Sequence, residues 1–265
     1  MQRPLFLLGG MLCLGLGLPS MAATFVDFEV NDNGKRHQQT AIIDNGRVLI
    51  GTHGDQPQQL LFDASRNQFI LIRHDRRGYV VIDQPTVQRY ASQATELRDS
   101  INQNLSTEQQ QQLAGVFESF GLGDISLQAQ PETARQYIRT GDRRSVNGYP
   151  CEVYRISQGS TPESVVCTIS QAALRLPGDD YQALRSMYEQ SSQIAAHARN
   201  LPLKLIETLP DLGGREITGL PVAYTSLAHN ITVAVRGMRQ GEARPASLQV
   251  PAGYRQLDLL SLENL

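Results

Sequence analysis

Gln59-Leu-Leu-Phe62, Gln68-Phe-Ile-Leu-Ile72 and Tyr79-Val-Val-Ile82 are three short runs that are apolar on consecutive residues. Asp63-Ala-Ser-Arg-Asn67 and Asp75-Arg-Arg-Gly78 separate them as polar turns. Runs of this length bounded by turn residues read as strands. A strand whose successive side chains are all apolar has both faces covered, because neighbouring side chains point to opposite faces. The runs therefore predict a sheet with material packed on each side.

Upstream, the pattern changes to that of half-buried strands. Thr24-Phe-Val-Asp-Phe-Glu-Val30 alternates apolar and polar residues. Asn31-Asp-Asn-Gly34 forms a tight turn, 36–44 a second strand, and Asn45-Gly46 a hairpin signal before Arg47-Val-Leu-Ile50. Downstream, helices interrupt. Thr86 is the expected N-cap of a helix with Val87, Tyr90, Ala94, Leu97 and Ile101 in one stripe. A second helix is expected from Ser106, with Gln109 completing a capping box, to Phe120 and a stop at Gly121. Its glutamines 109–112 read as a solvated face. Strands resume from Ala134, and a third helix begins after Pro177-Gly178, where Asp179 and Asp180 suit the positive helix N-terminus. The end is β again, over 202–208, 222–228, 231–236 and 248–257, with loops at 213–214 and 237–241.

The expected fold class is α+β, with an antiparallel sheet wrapped round a small helical layer. The expected organisation is a signal segment, 1–22, and a single domain, 23–265, with a helical insert at about 86–121. The signal reading rests on Arg3, the uncharged run Leu5 to Leu18, the breaker Pro19 and the small residues of Ser20-Met-Ala22. That run is shorter than the roughly 20 apolar residues of a membrane-spanning helix. Cys13 follows Leu12, whereas a lipid-anchor site needs a small residue there. The expectation is export to the periplasm as a soluble chain with no transmembrane segment.

The whole chain carries 24 basic and 26 acidic side chains. Loss of Arg3 with the signal leaves an excess of three acidic groups, which argues against a nucleic-acid partner. Cys151 and Cys167 remain after processing. In an oxidising compartment an even pair reads as a disulfide. Cys151 to Ile156 and Ser164 to Ile169 read as two strands folded at Gly159, which sets the cysteines opposite each other. Two free thiols, one of them reactive, are the alternative.

Several segments together resemble a known family. They are Thr140-Gly141, the run VNGYPCEVY over 146–154, Pro202-Leu-Lys204 and Leu248-Gln-Val-Pro-Ala-Gly-Tyr254. With Asp44-Asn-Gly-Arg-Val48 and Leu61-Phe-Asp63, they resemble the uncharacterised bacterial family DUF4412. That family is similar to the lipoprotein-carrier group (LolA/LolB-like). The resemblance implies an unclosed β half-barrel with helices packed on the concave side. Two departures stand out: the helical stretch 86–121 is long, and Cys167 stands where a tryptophan or other large apolar residue is expected. The family carries no catalytic residues to transfer.

No catalytic constellation is legible, and a non-enzymatic role is expected with no cofactor. There is no Gly-x-Ser-x-Gly word. His37, His53, His74, His197 and His229 show no close metal-ligand spacing. Asp-Asn-Gly at 32–34 and at 44–46 reads as hairpin turns without calcium-loop spacing. What remains is apolar surface. Phe69, Leu71, Tyr79, Val81, Tyr154 and Ile156 are the candidate wall of a cavity for a lipid-like or other amphiphilic ligand, or for a lipidated partner; ordinary core is the plain alternative. A second reading is an envelope protein–protein interaction module, with the helices closing the core and an open sheet edge or face docking a protein.

Overall fold

A computed structural model describes residues 22–51, 57–109, 112, 135–174, 176–198, 215–242 and 248–259. The fold is α+β: a large, mostly antiparallel, unclosed sheet with a few helices. The first meander contains β1 (Ala23–Asp32), β2 (Lys35–Asp44), β3 (Arg47–Ile50), β4 (Gln58–Asp63), β5 (Gln68–Arg73) and β6 (Gly78–Ile82). Asn45 and Gly46 hold φ of 49° and 74°, the doubly left-handed turn that matches strand twist and that Asn-Gly accepts readily. The second group contains β7 (Arg135–Val146), β8 (Tyr149–Gln158) and β9 (Thr161–Ile169). The last contains β10 (Leu220–Ser226), β11 (Ile231–Gly241) and β12 (Arg255–Gln256). Among the described residues the strand order is β12-β6-β5-β4-β3-β2-β1-β11-β10-β9-β8-β7. Strands from opposite ends of the chain, β1 and β11, join the two halves over the whole length of β1.

The helices described along their whole length are α1 (Gln84–Asn104), α2 (Gln171–Leu174) and α3 (Gly178–Ala198). They cover one face. Val87 of α1 and Ala183, Leu184, Met187 and Ile194 of α3 pack with Ile43, Val48, Phe62, Phe69, Leu71, Val80 and Ile82. Phe62 and Phe69 are cross-strand partners with ring centroids 4.9 Å apart. The opposite face carries Leu49, Leu61, Ile70 and Ile72 under Leu248. Both faces of β5 are thus buried, as its consecutive apolar residues predict. A third cluster joins Tyr154, Ile156, Val166 and Ile217.

Polar contacts, buried at Thr24 and Asp180, anchor α3. Gln240 Nε2 donates to Thr24 Oγ1 at 2.7 Å, and Thr24 Oγ1 donates to Asp180 in the first turn of α3. Arg185 Nη1 donates to the carbonyls of Ile217 and Gly219, at 2.6 and 3.1 Å.

Several sequence expectations are corrected. The first helix is capped by Asp83, not Thr86: Asp83 Oδ1 accepts from Thr86 N at 2.8 Å, and Pro85 occupies the first turn. Leu97 leaves the expected stripe and is 56% exposed. Ser106 and Gln109 do exchange side-chain-to-backbone bonds, the predicted capping box. The rest of the expected insert, 113–121, and the expected strand 202–208 lie outside the described residues. Gly237 and Gly241 belong to β11 rather than to a loop: Asp27 pairs with Gly237 and Phe28 with Val235, so Arg236 bulges and pairing resumes. Finally, 248–257 is a strand only at β12, which runs parallel to β6 and not antiparallel. Pro251 supplies no N–H and Gly253 turns the chain at φ 80°, so the remainder crosses the sheet face as a strap.

Candidate functional site

The six candidate wall residues do not share a wall. Phe69 and Leu71, 1% and 4% exposed, are core beneath α3. Tyr154 and Ile156, 4% and 1% exposed, sit in the third cluster on β8. Tyr79 and Val81 lie on the other side of the sheet and line a hollow of about 530 Å³. The cause is register. Phe69 pairs with Ile82 and Leu71 with Val80, so Tyr79 and Val81 share a face with Ile72 and Ile70 instead.

The hollow lies between the meander and the strap. Strands β3 to β6 supply Arg47, Leu61, Asp63, Gln68, Ile70, Tyr79 and Val81; the β4–β5 turn supplies Arg66. The strap supplies Leu248, Gln249 and Val250, and β12 adds Gln256. Buried Leu61, Ile70 and Leu248 form an apolar floor, with half-buried Tyr79, Val81 and Val250 beside it. Exposed Arg66 and Gln256 and half-buried Arg47 and Gln68 make a polar rim. The volume lies within the ~300–1,000 Å³ range of small-ligand sites.

Two polar ties hold the strap. Arg47 Nε lies 3.4 Å from Asp63 Oδ2, while its Nη1 donates to the Leu248 carbonyl at 3.3 Å. Burial pushes the Asp63 carboxyl up. The Ser65 hydroxyl and N–H, at 2.6 and 3.0 Å, and the Arg47 charge outweigh this and hold it below the usual value. At the other end His74 bridges Gln59 Oε1 and the Tyr254 hydroxyl, each at 2.9 Å. Gln59 Oε1 can only accept, so His74 donates to it from Nε2.

A second hollow, about 390 Å³, opens on the same face at the β11 bulge, lined by Asp27, Phe28, Gln38, Gln39, Thr40, Arg236, Gly237 and Arg239. Its charges are largely paired internally. Thr40 Oγ1 donates to Asp27 at 2.6 Å, and Arg239 lies 3.5 Å from Asp27 and stacks over Phe25 at 4.2 Å.

Cys151 and Cys167 are joined, with Cα atoms 5.4 Å apart. They are offset rather than opposite, because Cys167 faces Val153. The described histidines stand apart. His37 contacts Gln39, His197 contacts Gln84 and Gln88, and the His229 N–H donates to Ser226. No group of three or more potential metal ligands forms among the described residues. No described helix is long and apolar enough to cross a membrane.

Sequence reasoning missed the strap's role. The alternation of Leu248 and Val250 signals one apolar face, but not that this face lies on a sheet instead of within one. It also missed Arg47, whose carboxylate partner Asp63 pairs with it across β3 and β4.

No family model matches the chain, and no curated protein matches it. Among the solved structures that it resembles at a distance are three of low identity. PNGF-II is 9% identical with a TM-score of 0.44, over 92% of this chain and 32% of that chain. An uncharacterized conserved protein from Thermus thermophilus is 4% identical with a TM-score of 0.37, over 90% and 91%. The Pseudomonas aeruginosa MucA/MucB complex is 10% identical with a TM-score of 0.30, over 87% and 56%. The chain thus spans about a third of the length of the PNGF-II chain.

Proposed function

We propose that this chain is an exported, non-enzymatic periplasmic protein that binds an amphiphile in the hollow beneath the strap. The ligand's apolar tail lies on Leu61, Ile70 and Val81, and its polar head meets Arg66, Gln68 and Gln256. The resemblance of VNGYPCEVY and Leu248–Tyr254 to the DUF4412 family, and through it to the lipoprotein carriers, belongs to the same proposal. The observation that carries it is the lining: a buried apolar floor next to a polar rim bearing Arg66. Apolar burial contributes about 25 cal/mol per Å², so even a partly covered acyl tail gains useful affinity there.

A second reading is a protein–protein interaction module. It is favoured by the filled helical face: with Phe69 and Leu71 buried against α3, ligand contacts must be made on the outside of the sheet.

Native mass spectrometry of protein purified from its own host's envelope, with titration of a fluorescent fatty acid, tests the proposal. A retained amphiphile, and probe binding weakened at least tenfold by Val81→Arg, are expected. A ligand-free protein that ignores the probe, or a Val81→Arg variant that binds it equally well, overturns the proposal.

A further inference from the structure

We propose that the hollow at the β11 bulge binds a small anionic sugar, with its carboxylate or phosphate at Arg236 and its hydroxyls toward β2. Among the described residues this hollow shares no lining residue with the one beneath the strap, and the inference is independent of that site. It is a trough across β1. On one side β2 supplies Gln38 and Thr40, in the middle β1 supplies Asp27, and on the other side β11 supplies Arg236, Gly237 and Arg239. Its volume of about 390 Å³ stands at the small end of the ~300–1,000 Å³ range of ligand sites.

The bulge makes the room. Asp27 pairs with Gly237 and Phe28 with Val235, so Arg236 is an extra residue, and both Arg236 and Gly237 line the hollow. A bulge re-aims a side chain in this way. A Cβ added at Gly237 would meet no atom within 4 Å, and the backbone there lies outside the left-handed region. Neither backbone conformation nor a crowding neighbour therefore requires glycine at this position. What its missing side chain leaves is open space beside Asp27.

Charge selects the ligand. Asp27 is met by the Thr40 hydroxyl at 2.6 Å and by Arg239 at 3.5 Å, so the carboxylate of the lining is already matched and leaves no charge for a cation. Glu29 pairs with Gln38 and Ala234 in the ladder and lies outside the lining. Arg236 is exposed, and its side chain makes no ion pair or hydrogen bond among the described residues. A guanidinium in that state matches a carboxylate or phosphate with two parallel N–H donors. Across β1 the exposed Gln38 amide also has no side-chain partner among the described residues. It offers both donors and an acceptor, the combination that a hydroxyl uses. Two strand spacings, about 10 Å, separate β2 from β11. A ligand that reaches both sides therefore carries its charge at one end and hydroxyls at the other. Phe28 is the one large apolar residue among the described lining, so an acyl tail finds no bed here.

The test is an NMR titration of the isotope-labelled protein, expressed from the whole chain, followed through its side-chain amide and guanidinium N–H signals. The probes are glucuronate and glucose-6-phosphate, with glucose as the uncharged counterpart and acetate and inorganic phosphate as anions without the sugar. Saturable shifts of the Gln38 and Arg236 signals are expected with at least one of the two sugar anions, and the tighter binder names the anionic group. Affinity should be at least tenfold weaker for glucose, and at least tenfold weaker for acetate and inorganic phosphate. It should also fall at least tenfold in Arg236→Gln, which removes the charge, and in Gly237→Leu, whose side chain fills the hollow. Arg236 is exposed and Gly237 has space for a side chain, and circular dichroism checks that both variants are folded. If Gly237→Leu does not fold, Arg236→Gln decides alone. No saturable binding of either sugar anion, equal binding of glucose or of the bare anions, a folded variant that binds as well as the native chain, or shifts confined to other residues would each overturn the proposal.

Discussion

Cys151 is bonded to Cys167, yet the residue across the ladder from Cys167 is Val153, two positions along β8. The bond therefore ties β8 and β9 diagonally and sits in the main core, with both cysteines at most 5% exposed. A loop of 16 residues restrained in the unfolded chain stabilises by roughly 3 kcal/mol in the loop-entropy picture. Replacing both cysteines with alanine should cost about that much in urea unfolding. Reducing the native protein should give a comparable loss, and thiol titration of the unfolded, unreduced chain lacking residues 1–22 should find none. Two reactive thiols would refute the bond.

Two carboxylates should give stability opposite pH slopes. Burial raises the Asp180 carboxyl above its ordinary value of 3.8; its bond from Thr24 lowers it, while Asp44 and Asp179 add to the rise. A group with a raised folded value favours the folded state when protonated, and that contribution is lost as pH rises through the raised value. Asp180→Asn should therefore be less sensitive to pH above about 3.8 and more stable than the native chain at neutral pH. Asp75 is the reverse: the bidentate bond from Arg73 holds it down to about 2. Its contribution is present above 3.8 and lost as pH falls through about 2, so Asp75→Asn should flatten the acid limb. Chemical unfolding from pH 2 to 7 measures both slopes.

Gly219 precedes β10 with φ 85°, and an added Cβ there would lie 2.6 Å from the Ile169 carbonyl oxygen. The left-handed backbone alone costs other residues on the order of 1–3 kcal/mol, and here the clash is with backbone. Gly219→Ala should lower the midpoint of thermal unfolding by several degrees. It should also disturb Arg185, which donates to the Gly219 carbonyl. An unchanged midpoint would show that the loop shifts freely.

Tyr254→Phe removes the hydroxyl that His74 holds. The expected loss is about 1 kcal/mol. Faster exchange of the Arg255 and Leu257 amides, which donate to Arg77 and Tyr79, should accompany it. Exchange left at the native rate would mean that the His74–Tyr254 contact does not help to hold the strap against β6.

The first meander is legible because alternation and Asn-Gly turns are local signals. So are the acidic start of α3 and the Ser106–Gln109 box. The strap is not, because Leu248 and Val250 alternate as a strand would; only tertiary packing on Leu49 and Leu61 sets them on a face. The glycines of β11 mislead for a similar reason: pairing with β1, from the other end of the chain, overrides their local preference. The site is half legible. Tyr79 and Val81 do line a hollow, but grouping them with Phe69 and Leu71 ignores the one-residue parity that a β5–β6 hairpin register imposes.

The strap has a consequence for biosynthesis. A chain made or threaded from its N-terminus presents Leu49, Leu61, Ile70 and Ile72 long before Leu248 arrives to cover them. Until then a folded meander shows one finished apolar face and one bare one, the condition in which nascent sheets stick to each other. Covering of that face therefore comes long after the meander itself is made, and is set by Leu248 and Val250. Chains cut short before residue 248 should aggregate even though the meander's own strands are intact.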